Sequence, residues 1–158
     1  MAITPQTHTT NVTSPAATTH VVTKPAGTTD GDVLWLVVAN NGNNPLTAPG
    51  ATNWTQDISQ IGGTNPLLQT FFLVCGAGEP ASWTFTGASA IRGSVCRRYS
   101  GVDNTTPRDI TSSTNSGLVA GGATITALSV TTVTNGCEIV VGAGFAGMYM
   151  LHRLRDQG

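Results

Sequence analysis

The sequence predicts an all-β protein, an antiparallel β-sandwich with a short helix at its C-terminal end. Apolar residues come in short runs or in strict alternation, and helical spacing is absent before residue 145. Glycine, proline, asparagine and aspartate break these runs at intervals of roughly ten to fifteen residues, as turns between strands require. Threonine, glycine, asparagine and alanine dominate the composition, which suits strands with one solvated face. An α/β domain would need helices between its strands, so the count of about seven short strands favours a sandwich.

Residues 1–15 are threonine-rich and contain Pro5 and Pro15, which predicts an extended arm or an edge strand. The sandwich is expected over 16–147. Its first strand, 18–23, carries His20 and Val22 alternating with Thr19, Val21 and Thr23 before Lys24-Pro25-Ala26-Gly27 breaks it. Residues 33–39 form the most apolar run and predict a central strand buried on both faces. Residues 40–50 are loop by composition, and 54–58 alternate only weakly. A second long apolar strand spans 67–75, and with 33–39 it is expected to form the core. In the next strand Trp83 and Phe85 share one face while Ser82, Thr84 and Thr86 share the other.

Ile91, Gly93, Val95 and Tyr99 fall on one side of the following strand, with Arg92, Ser94, Cys96 and Arg98 on the opposite side. Arg97 interrupts the apolar side, which suggests a bulge or a guanidinium reaching over the rim of the core. A polar connection, 101–122, leads to strands at 127–133 and 138–141 around Asn135-Gly136, a hairpin signal. Met148, Leu151 and Leu154 then recur at three- and four-residue steps, which predicts a helix over 148–158.

Composition excludes several function classes. Only 9% of the 158 residues are charged and the formal net charge is −1, so there is no basic field for nucleic acid. No apolar run reaches the roughly 18 residues of a membrane helix, and the N-terminus lacks the order of a secretory signal. The partners expected are therefore neither nucleic acid nor membrane. Cys75, Cys96 and Cys137 are too widely spaced for zinc and odd in number for a disulfide framework, so they read as buried thiols. His8, His20 and His152 are scattered and read as surface or edge residues; no metal site is expected. Asp30, Asp32 and Asp103 lie in turns where calcium can bind, although turn aspartates ordinarily bond their own backbone. Trp35 and Trp83 read as core, which leaves Trp54 as the one candidate platform for a glycan. No serine or cysteine stands in a nucleophile motif, so no catalytic residue is expected.

Two resemblances are carried by specific residues. Met-Ala-Ile-Thr-Pro at the start, Asp-Gly-Asp-Val-Leu-Trp-Leu-Val-Val-Ala at 30–39, Glu-Pro-Ala-Ser-Trp-Thr-Phe-Thr at 79–86 and Tyr-Ser-Gly-Val-Asp-Asn-Thr-Thr-Pro at 99–107 resemble a Thr- and Gly-rich module of phage tail or capsid-associated proteins and bacterial surface proteins. That resemblance implies a jelly-roll-like sandwich without enzymatic activity, located in a virion or on an extracellular surface. The implied partners are other virion or surface proteins. Self-association as a trimer or larger ring is expected from the two chain ends, because the Thr-rich arm 1–15 can add a strand to an open edge and the helix over 148–158 has Met148, Met150, Leu151 and Leu154 to bury. The second covers about 20 residues: 139–158, with Gly142, Gly144 and Gly147, resembles the N-terminal FAD-binding segment of Baeyer-Villiger-type flavin monooxygenases. It implies that these glycines admit the FAD pyrophosphate. The second nucleotide fingerprint, ribose carboxylate and substrate domain of such an enzyme are missing from the chain, so the non-enzymatic reading without a cofactor is preferred.

Overall fold

A computed structural model describes residues 2–50, 52–61, 66–110, 112, 131, 133, 136–137, 139–144 and 149–154. All regular structure among them is β: β1 (Thr4–Thr23), β2 (Val33–Asn40), β3 (Leu46–Thr47), β4 (Thr55–Ile61), β5 (Leu67–Val74), β6 (Ser82–Ser100), β7 (Ile139–Gly144) and β8 (Tyr149–Leu154). The first six build one antiparallel sheet in the order β1-β6-β2-β5-β4, with β3 paired to β6 off that path. No helix among the described residues is long and apolar enough to cross a membrane.

Two strands of unusual length, 20 and 19 residues, set the architecture. β1 follows β6 from Thr4↔Ser100 to Thr23↔Ser82, with register shifts between Pro5 and His8 and between Thr13 and Thr19. Beyond the second shift β6 changes neighbour: its second half, from Arg92 to Tyr99, pairs with β2, whereas its first half pairs with β3 through Leu46↔Gly87 and Thr47↔Thr86. The ribbon doubles over there. Thr9 Oγ1 donates to the Thr23 carbonyl (2.6 Å), and the Thr23 N–H donates to Asn11 Oδ1 (3.2 Å), so the two halves of β1 face each other. Phe71 of β5 meets Phe85 of β6 edge-on at 5.1 Å, although β2 lies between their strands in the ladder.

The core fills the fold of this ribbon. Leu34, Leu36 and Val38 from β2, Phe71 and Leu73 from β5, and Val22, Trp83 and Phe85 from the ribbon are its main members, joined by Leu46 and Trp54. Burial of each large side chain contributes about 1.5–3 kcal/mol. The apolar runs at 33–39 and 67–75 are thus core strands as expected, with Phe71 inside and Phe72 on the opposite face.

Several elements depart from the sequence reading. The first strand is not limited to 18–23: residues 4–13 continue it, which realises the edge-strand alternative for the N-terminal segment. Removing that segment would strip β6 of half its partner. The loop at 40–50 contains β3, because Leu46 is 2% exposed and needs its backbone paired on entering the core. In β6 the period is as expected but the phase is inverted over 91–96, while Tyr99 is buried on the apolar side as expected. Arg92, Ser94 and Cys96 point inward at 1%, 2% and 0% exposure, while Ile91 is 44% exposed. The physical reason is that Trp83 and Phe85 point inward before the bend, and the irregular Gly87-Ala88-Ser89 stretch shifts the inward set from odd to even positions.

Residues 113–130, including most of the strand expected at 127–133, lie outside the described residues, as does Asn135 of the expected hairpin. The same holds for part of the expected helix, namely 148 and 155–158. The backbone between, Tyr149–Leu154, is extended and pairs antiparallel with β7 from Ile139↔Leu154 to Gly144↔Tyr149.

Gly87 sits opposite Leu46 where β3 pairs with β6, and a Cβ there would fall inside contact distance of the Pro45 carbonyl oxygen. Gly87→Ala is expected to lower unfolding free energy by about 1–3 kcal/mol in a denaturant titration, since a backbone oxygen cannot rotate away. Gly50→Ala, which meets nothing within 4 Å, is the control and should stay within about 0.5 kcal/mol of wild type. Equal midpoints for the two variants would show that β3 yields freely.

Candidate functional site

β1 lies at one end of the strand order, so its outer edge is open among the described residues. Edge strands ordinarily carry Lys or inward charges that discourage pairing with another chain. β1 carries no Asp, Glu, Lys or Arg in its 20 residues, and the first charged side chain of the chain is Lys24. Exposure alternates along 8–14, with His8, Thr10, Val12 and Ser14 exposed and the residues between them half-buried. Val12, at 76%, and Val21, at 48%, are exposed apolar side chains on this strand. A shallow groove of about 650 Å³ follows the edge, lined by residues of both halves that include Thr10, Val12, Thr19 and Val21.

The two halves do not leave the same edge. In an antiparallel ladder the N–H and C=O of one residue point to the same side. Thr23 turns both outward, where Asn11 Oδ1 and Thr9 Oγ1 satisfy them, and Thr7 Oγ1 donates to the Ala26 carbonyl at 2.6 Å. The end of the second half is thus closed by the protein's own side chains.

Behind this edge runs a buried polar seam. His20 is 1% exposed, with Nδ1 2.7 Å from Thr13 Oγ1 and Nε2 2.7 Å from Ser94 Oγ. Each hydroxyl can donate or accept, so either neutral tautomer is satisfied. Burial, with the Arg92 charge adding to it, pushes the imidazole pKa down from 6.5 to about 4. Among the described residues Arg92 itself has no carboxylate partner. Its Nε donates to Asn40 Oδ1 (2.6 Å), Nη1 to the Ala17 and Ala90 carbonyls (2.6 and 3.4 Å), and Nη2 to the Ala88 carbonyl. Burial lowers its pKa, but a guanidinium starts so high that it stays a cation.

Asn40 extends the seam by donating to Gln69 Oε1 (3.4 Å). The Gln69 amide pairs with Leu46 as a strand would, accepting from its N–H (2.7 Å) and donating to its carbonyl (3.1 Å). These bonds explain how Asn40 and Gln69 are buried at 1% and 0%.

The outer face of the sheet has its own cluster. Trp35 stacks on Phe72 at 5.9 Å, and the Arg108 guanidinium lies 5.6 Å from the Phe72 ring centroid. A bulge between Gln56 and Ile58 turns Asp57 out of the β4 ladder. Its buried carboxylate pairs with Arg108 and accepts from Ser112 Oγ at 2.5 Å. Phe72, Arg108 and residues 105–110 line a shallow cleft of about 430 Å³.

The residues singled out from sequence are dispersed. Trp54 is not an exposed platform: it is 7% exposed, edge-on to Trp83 at 5.3 Å and to Phe85 at 5.6 Å. Its polar sequence neighbours conceal a turn that drives the indole into the core. Trp35, read as core, is half-buried on the outer face. His20 is buried instead of lying at the surface, whereas His8 is exposed as expected; the His152 side chain lies outside the description. Asp32 accepts from the Thr29 N–H (2.7 Å) and pairs with Arg98 (2.7 Å). Asp103 accepts from the Thr105 N–H (2.8 Å) and Thr106, bonds that hold its carboxyl below the usual range. Both thus bond their own surroundings in the manner of turn aspartates. Gly142 and Gly144 belong to β7, and Gly147 lies outside the described residues.

Cys75 and Cys96 are buried thiols as expected; burial, then Glu79 and Asp32, pushes Cys75 up to about 12, and burial raises Cys96 further. At neutral pH neither is a thiolate. Ser94 and His20 stand at the distance of a nucleophile and its base, yet at 2% and 1% exposure no reacting atom reaches them. Sequence reasoning missed Arg92, Asn40 and Gln69, whose only signal was their position in phase with buried neighbours. Comparison with protein-family models, curated proteins and solved structures finds no match.

The low folded pKa of His20 makes stability depend on pH in a defined window. Unfolded, the imidazole binds its proton near pH 6.5; folded, only near 4. Between these values the unfolded state holds more protons, so stability falls as pH drops from about 6.5 to 4, by about 3 kcal/mol in total. His20→Gln should remove this component, leaving only the carboxylate-driven part of acid destabilisation. Denaturant midpoints at several pH values read the difference, and parallel curves for the two proteins would contradict it.

Proposed function

We propose that this chain is a non-enzymatic structural or decoration component of a phage virion or similar surface assembly, a jelly-roll-like sandwich that acts by protein–protein association. The observation that carries the reading is β1, an edge strand of 20 residues without a single formally charged side chain and with Val12 exposed. A free protein with such an edge is prone to pair with other chains, and an assembly is the ordinary way to cover it. The low charge of the whole chain adds little repulsion against packing many copies together. The resemblance of the Thr- and Gly-rich segments to phage and bacterial surface modules gives the class of assembly.

Mass spectrometry of virions or shed surface particles purified from the source is expected to recover peptides of this chain at structural abundance. Confinement of the chain to the cytosolic fraction, with none in any particle, would overturn the reading. The flavoprotein alternative is separated by titration: the purified chain is expected to stay colourless and leave FAD fluorescence unchanged. Micromolar binding that is lost in Gly144→Val would promote the oxidoreductase instead.

A further inference from the structure

We propose that the first half of β1, open among the described residues, is a homotypic interface, on which a second copy of this chain adds its own β1 antiparallel about a two-fold axis at Val12. This rests on the association reading above and names the partner and the strand. The occupant follows from the chemistry of the edge. With no formally charged side chain in β1, antiparallel self-pairing places no like charges opposite each other, and an oppositely charged partner strand would gain nothing. The alternating exposure of residues 8–14 gives the strand one outward row, His8, Thr10, Val12 and Ser14. A two-fold axis at Val12 sets Val12 against Val12 of the partner subunit and Thr10 against Ser14 of the partner subunit. Exposed valine meets valine, and hydroxyl meets hydroxyl.

The rest of the edge directs pairing to this half. The end of the second half is closed by Thr7, Thr9 and Asn11 on the Thr23 and Ala26 backbone. Pro15 has no N–H to contribute and sits at the bend, so the usable strand ends near Ser14. Arg97 pairs with His8 inside the protomer, at the far end of the contact from Val12, so antiparallel addition keeps the two copies of Arg97 apart. With Ser14 facing Thr10, the ladder covers residues 10–14, five residues spanning about 17 Å at about 3.4 Å per residue, a small interface. The dimer is therefore concentration-dependent, and many copies in an array would reinforce it.

Light scattering with size-exclusion chromatography is expected to show wild type moving from 16.2 kDa towards twice that mass as concentration rises from micromolar to near-millimolar. Val12→Lys, which sets two ammonium groups against each other, should raise the dissociation constant at least about tenfold. Its melting temperature should stay unchanged, because Val12 is exposed in the protomer. Cys137 is half-buried, so trapping is done in a Cys137→Ser background. There Val12→Cys should cross-link to a disulfide dimer under mild oxidation and Val21→Cys should not. A wild type that remains monomeric throughout overturns the proposal, as does a dimer that survives Val12→Lys with its affinity unchanged. If the chain is nonetheless found in purified particles, the association reading stands and only the β1 assignment has failed.

Discussion

A guanidinium buried with no carboxylate beside it among the described residues is the constraint on which the rest of this structure depends. Taking Arg92 out of water costs several kcal/mol unless its donors are met, and only oxygen dipoles meet them. Apart from Asn40 Oδ1, which β2 supplies, those oxygens come from the place where the β1/β6 ladder is interrupted. Ala17 lies between two register shifts of β1, and Ala88 falls in the irregular stretch of β6 opposite. A bend in a long ribbon leaves carbonyls without ladder partners, and a buried cation needs carbonyls. Each requirement satisfies the other, so bend and arginine are stable together and costly apart.

The seam that begins at Arg92 also ties the strands of the sheet laterally. Asn40 links β6 to β2, and Gln69 links β5 to β3 by presenting its side-chain amide to Leu46 as a peptide group would. The two-residue β3 has too few ladder bonds to hold itself, and Gln69 supplies the missing edge. On the other arm, His20 joins the two halves of β1 and β6 through Thr13 and Ser94. Apolar packing decides that the ribbon closes, while these directional bonds decide in which register.

Local signals made the all-β class, the two core strands and the alternation within β6 legible in the sequence. Residues 33–39 and 67–75 are apolar enough that no partner could place them elsewhere. The phase of β6 was not legible, because hydropathy prefers Ile91 over Arg92 inside and the compensation for Arg92 comes from residues 17 and 40, far away in sequence. Trp54 failed for a similar reason: its neighbours are polar, but Trp83 and Phe85 are what enclose it. Of the candidate edge, the composition was readable from Thr4 onward. Its pairing along β6 was not, since 96 residues separate Thr4 from Ser100 and 59 still separate Thr23 from Ser82.

The edge itself completes the argument from the core outwards. Thr9, Asn11 and Thr13 half-face the interior, and there they hold Thr23 and His20. The same alternation forces Thr10, Val12 and Ser14 to the outside, so the strand cannot serve the seam without presenting a neutral, β-prone row to solvent. A charge at 10, 12 or 14 would protect this row without disturbing the seam, because those side chains touch none of its members. Such protection is cheap in energy and common at sheet edges. Its omission therefore cannot be traced to folding; it is the feature of β1 that stability leaves unexplained and that the proposed association would account for.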